Sequence, residues 1–207
     1  MNSLFHYDNP IFQSLGRIVD LVLLNFLCLL CCIPIITIGP SIAALYYCML
    51  KISRDQDSSM IKMFFHSFLD NLKQGIILTI IFLIFALFIV VDFYACNTFT
   101  FPVLSYIKIF LYTLGLIFIV IVSYAFPLLA QFHNSIGNIL KNSLLMAISN
   151  FHYTIVIVLI NILPFLILYF SPNYFVLILP ILSICGTALT AFVNSKLFIK
   201  IFNQYIS

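Results

Sequence analysis

Residues 18–50 form an apolar stretch whose single charge is Asp20, and as one straight α-helix of about 33 residues it would be roughly 50 Å long. A bilayer core of about 30 Å cannot take that length in one straight crossing. Pro34 interrupts the stretch, and so does Thr37-Ile38-Gly39-Pro40-Ser41. A glycine before a proline ends one helix, and the proline can open the next. Residues 18–52 are therefore expected to form a hairpin with arms 18–36 and 40–52, the second short and re-entrant, or else one kinked span.

The rest of the chain repeats the alternation of long apolar runs with short polar intervals. Spans are expected at 76–96, 103–130, 153–170 and 174–196, with Ser171-Pro172-Asn173 as a tight external turn. Residues 1–17 mix Leu4, Phe5, Ile11, Phe12 and Leu15 with polar side chains, as an interfacial segment does, and Pro10 signals a helix start. That segment carries Asp8 and no lysine before Arg17, so it lacks the basic flank of a secretory signal, and no cleavage is expected. The fold class expected is all-α, a polytopic transmembrane bundle of five or six hydrophobic segments in a single membrane domain, residues 1–207, with two cytoplasmic amphipathic helices.

Those two helices fall at 53–75 and 131–152. Lys51, Arg54, Asp55, Asp57, Lys62, Asp70 and Lys73 make the first interval the most charged of the chain, and its four basic residues assign it to the cytoplasm. Within it Ile61, Phe64, Phe65, Phe68, Leu69 and Leu72 recur at three- and four-residue steps, with Lys62, His66, Asp70 and Lys73 opposite. In the second, Ile136, Ile139, Leu140, Leu144 and Ile148 draw one stripe beside Lys141 and Asn142. Lys196 and Lys200 place the C-terminal end inside as well. A weak likeness between Phe68-Leu69-Asp70-Asn71-Leu72-Lys73 and Asn138-Ile139-Leu140-Lys141-Asn142 suggests a duplicated half.

With 64% hydrophobic and 7% charged residues the chain cannot clothe a soluble domain in polar side chains, so its first partner is the lipid bilayer. A net charge of +3, scattered along the chain, gives no nucleic-acid surface. Cys28, Cys31, Cys32, Cys48, Cys96 and Cys185 lie mostly in apolar stretches and read as packing thiols. His6, His66, His133 and His152 lack ligand spacing, so no metal or other cofactor is expected. Glutamate is absent from the chain. Neither a nucleophile with its base nor a phosphate-cradling loop is present, and the chain reads as non-catalytic.

Candidate functional residues are those that break the apolar pattern. Asp20 follows Arg17 at helical spacing and precedes Asn25. An intramembrane carboxylate is a functional hypothesis, but an Arg17–Asp20 pair anchoring the helix, with Asn25 bonded to a neighbouring helix, explains the same residues. Asp92 is read as solvated near the external end of its span. Gly39 and Pro40 form the break, and Lys62, His66, Asp70, Lys141 and Asn142 are the groups that the cytoplasmic helices present. Polar residues otherwise collect at the ends of the spans.

The stretches Asn9-Pro10-Ile11-Phe12, Leu15-Gly16-Arg17-Ile18-Val19-Asp20-Leu21, Cys31-Cys32-Ile33-Pro34-Ile35-Ile36-Thr37-Ile38-Gly39 and Ala43-Ala44-Leu45-Tyr46-Tyr47 together resemble the YesL family of small bacterial membrane proteins. Phe126-Pro127-Leu128-Leu129-Ala130, with Phe132, Asn134 and Lys141-Asn142-Ser143-Leu144-Leu145, gives a looser match. Gln131 and His133 depart from the basic and acidic residues common at those two places in the family. The resemblance implies an accessory of a carbohydrate ABC importer in the bacterial cytoplasmic membrane, with the importer's permease subunits as partners. An independent small-solute carrier is the alternative, and no residue pattern sets an oligomeric state.

Overall fold

The computed structural model describes residues 10–56, 59–98, 104–170 and 185–205. It is all-α, 90% helical, with no strand among the described residues. The helices are α1 (Pro10–Cys31), α2 (Ile38–Ile52), α3 (Met60–Asp70), α4 (Leu72–Thr98), α5 (Leu104–Gln131), α6 (Ile136–Ser149), α7 (Phe151–Phe170) and α8 (Thr187–Phe202). A short 3₁₀ turn, Ile35–Thr37, precedes α2. Part of the expected span 174–196 and its external turn lie outside the described residues.

Three segments among the described residues are long and apolar enough to cross a membrane: Ile35–Ile52, Leu72–Thr98 and Tyr106–Gln131. A fourth is obtained if Ile136–Ser149 and Phe151–Ile167, bent by 110° at Asn150, make one broken crossing. The expected spans 76–96 and 103–130 correspond to α4 and α5. Only 17% of the apolar window of α4 and 28% of that of α5 are buried within the protein. Ile84, Leu87, Val90, Ile109 and Leu116 are among the residues they expose, a surface that water would not tolerate and lipid accepts.

α2 behaves in the opposite way. Eleven of its fifteen residues are buried, and it packs against α1, α3, α4, α5 and α8. It is the hub of the bundle, because its small residues Gly39, Ser41, Ala43 and Ala44 let neighbours close on it. The turn before it also lies earlier than the Gly39-Pro40 signal places it. α1 ends at Cys31, and the Thr37 hydroxyl closes the turn by donating to the carbonyls of Cys31 (2.6 Å) and Pro34 (2.8 Å). Gly39 and Pro40 are buried in the first turn of α2, where proline's missing N–H would have had no intrahelical acceptor.

The two amphipathic helices exist, but each sorts its apolar residues differently from the simple stripe. α3 buries Met60, Phe64 and Ser67 against the bundle, while Ile61, Phe65 and Leu69 are exposed in a row of their own. Asn71 ends α3, its side chain returning to the Ser67 carbonyl at 2.9 Å, and Lys73 already belongs to α4. α6 buries Ile139, Ser143, Met146 and Ala147, whereas Ile148 of the expected stripe is 65% exposed. Both shifts arise because serine and alanine can occupy a buried helix seam, which a count of large apolar residues overlooks.

Candidate functional site

At the start of α2 the chain comes unusually close to α4. A Cβ placed on Gly39 would lie 2.5 Å from the Gly75 carbonyl oxygen and 2.8 Å from the Phe126 ring, and one on Gly75 would lie 2.7 Å from the Pro40 nitrogen. The Gly39 N–H, which no earlier turn of α2 can satisfy, donates to the Thr79 hydroxyl at 3.0 Å, and that hydroxyl donates to the Gly75 carbonyl at 2.7 Å. Two glycines, a proline and a threonine thus form one crossing, and Thr79 also lines a cavity inside the bundle.

That cavity has a volume of about 590 Å³ and is walled by α2, α4, α5, α7 and α8. Most of its wall is apolar, from Ile42, Leu45, Phe82, Phe118, Val122 and Ile162. One side carries hydrogen-bonding groups. Ser123 accepts from Asn161 Nδ2 at 3.1 Å, and Asn161 Oδ1 accepts from Asn194 Nδ2 at 2.7 Å. Asn194 Nδ2 also reaches the Tyr46 hydroxyl at 3.4 Å. Tyr46, Ser123 and Asn194 are buried, and among the described residues the Asn194 Oδ1 atom has no donor.

Asn25 belongs to a neighbouring part of the same interior. It is fully buried, and its side-chain oxygen accepts both the Thr187 hydroxyl and, at 2.9 Å, the Ala188 N–H in the first turn of α8. The polar residues of the chain therefore do not all collect at the ends of the spans. Tyr46, Ser123, Asn161 and Asn194 meet inside the bundle and Asn25 is bonded to the start of α8, and of these sequence reasoning singled out Asn25 alone. Asn161 and Asn194 carried a signal, each being an amide set within an apolar run.

Arg17 forms an ion pair with Asp55, a partner 38 residues away, instead of serving solely as a neighbour of Asp20. Asp55 is placed for this by the end of α2, where Gln56 N–H returns to the Lys51 carbonyl and Asp55 N–H to that of Ile52, each at 3.1 Å. This paired return leaves Asp55 in the left-handed region, φ 53°. Asp20 is half-buried and engaged in an interaction of its own. His66 and Asp70 pair at 2.7 Å on the exposed face of α3, beside exposed Lys62. Lys141 is exposed, and Asn142 lines a second cavity of about 430 Å³ with Phe132, Asn134, Ser149 and Tyr205.

The fold and this interior define a class: a helical membrane protein with a polar cluster inside an apolar bundle. A family model described as "Protein of unknown function, DUF624" matches residues 21–93, less than half of the chain. The matched interval takes in α2, α3, half of α1 and most of α4, and so contains Asn25, Gly39, Pro40, Tyr46, Gly75 and Thr79. No curated protein and no solved structure matches the chain.

Proposed function

We propose that the chain is a YesL-type, non-catalytic component of the bacterial cytoplasmic membrane, an accessory of a carbohydrate ABC importer whose cytoplasmic helices contact the permease subunits. The YesL resemblance and the match over residues 21–93 support the assignment. The observation that carries the docking role is the seating of α3. Phe64 has no exposed surface and α3 packs along α2, so the helix is fixed on the bundle. Lys62, His66 and Asp70 then stand outward on a rigid platform, an arrangement that serves specific contact better than a loosely floating amphipathic helix does.

The test is purification from native membranes in mild detergent, with identification of what accompanies the protein. The permease should co-purify with the native chain and be lost with Lys62→Ala combined with Asp70→Ala, whose insertion in the membrane stays intact. Recovery of the native chain without permease, or undiminished permease with the double variant, would sink the docking role.

A small-solute carrier is the second reading, and the polar cluster inside the bundle favours it, since carriers place polar groups within the membrane. Uptake of a labelled sugar into liposomes that hold only this protein would support it. Liposomes that take up no more sugar than empty ones count against it.

A further inference from the structure

The central cavity is far larger than the voids that close-packed interiors leave, and its size falls within the roughly 300–1,000 Å³ of small-molecule sites. Among the described residues no Asp, Glu, Lys, Arg or His lines it. A charged ligand would enter without a counter-ion in a medium that penalises isolated charge heavily, so the occupant is uncharged. The predominantly apolar wall also disfavours filling by water, which needs several polar partners per molecule. Leu83 and Phe165 line the cavity and are 44% and 71% exposed, which makes the bilayer the source of the occupant.

The polar groups of the wall differ in what they have left to offer. Thr79, Thr187 and Thr190 spend their hydroxyl protons on Gly75, Asn25 and the Thr187 carbonyl, and Ser123 spends its own on the Ile119 carbonyl. Among the described residues the Tyr46 hydroxyl accepts from Asn194 and donates to nothing, and Asn161 uses one of its two side-chain N–H bonds. Two donors thus remain on the wall of an apolar chamber, on side chains bonded to buried Asn194, whose own Oδ1 is an unused acceptor behind them.

We propose that this cavity binds an uncharged amphiphile from the bilayer, its apolar body against the walls and a hydroxyl or carbonyl oxygen accepting from Tyr46 and Asn161. The assignment does not depend on the importer reading. Asn194 acts as a positioning residue: its Nδ2 donates to the Tyr46 oxygen and to Asn161 Oδ1 and so holds both side chains at the wall.

The full chain in phosphatidylcholine nanodiscs would be labelled with a photoactivatable long-chain alcohol and, separately, with the matching hydrocarbon lacking the oxygen. Sites would be mapped by peptide mass spectrometry. The alcohol should label the α4 and α5 walls near Ala86 and Val122 saturably, and Tyr46→Phe should weaken it about fivefold, as expected for one neutral hydrogen bond, leaving the hydrocarbon unchanged. Ala86→Phe, which fills the chamber without touching the polar end, should abolish saturable labelling and keep the protein monodisperse. Indistinguishable labelling by alcohol and hydrocarbon, or saturation by the alcohol that neither variant alters, would overturn the proposal.

Discussion

The side-chain oxygen of Asn25 lies 2.9 Å from the backbone nitrogen of Ala188, so that a residue early in the chain satisfies the first turn of a helix 163 positions later. In the low dielectric of the bundle an amide N–H stripped of this acceptor has no water to replace it. Asn25→Ala is expected to cost about 1–3 kcal/mol. Equilibrium unfolding in mixed detergent micelles measures it, and a change below about 0.3 kcal/mol would show that the contact carries no stability.

The Gly39–Gly75 crossing predicts that one added methyl group is damaging at either position. Gly39→Ala pushes against Thr79 and the Gly75 carbonyl, and Gly75→Ala pushes against the Pro40 ring. Each should destabilise by about 1–3 kcal/mol, and the pair by less than the sum, because both relieve themselves by separating α2 from α4. Gly115, around which a Cβ meets nothing within 4 Å, supplies the control: Gly115→Ala should be neutral or slightly stabilising. Additive losses at Gly39 and Gly75 would mean that the two do not share a contact.

Asp55 combines a left-handed backbone with an exposed ion pair to Arg17. Exposed pairs contribute about 0–1 kcal/mol, so Arg17→Ala should change stability little. Asp55→Gly exchanges that small loss for a residue at ease with φ near 53° and should be close to neutral. Asp55→Val, β-branched in the same conformation, should cost about 1–2 kcal/mol more. Equal damage from glycine and valine would rule out backbone conformation as the controlling factor.

The distribution of basic residues predicts sidedness. In a background with the six native cysteines replaced by alanine, a single cysteine at Gln56 or Asn138 should resist an impermeant thiol reagent in intact cells. One at Asn97, exposed at the far end of α4, should react. Labelling at Gln56 or Asn138 without permeabilisation would reverse the orientation.

What the sequence determined by itself follows from properties that each segment carries alone. The charge-poor runs that became α4 and α5 must lie in lipid whatever they touch, since no water-soluble arrangement could cover them. The three- and four-residue spacing around Phe64 made α3 a helix, a local consequence of backbone geometry. Which face of each helix turns inward was a different matter. Lipid is as apolar as leucine, so a helix that is apolar all round, as α4 is, carries no hydropathy signal for its neighbour, and packing of small residues decides. Hence the burial of Gly39 and Pro40 against α4, and the place of α2 at the hub, appear only once the helices are packed. Only the tertiary structure could bring Tyr46, Ser123, Asn161 and Asn194 together, because Tyr46 and Asn194 are separated by 148 positions, and four isolated polar residues acquire a joint meaning only where the low dielectric of the bundle forces them to satisfy one another.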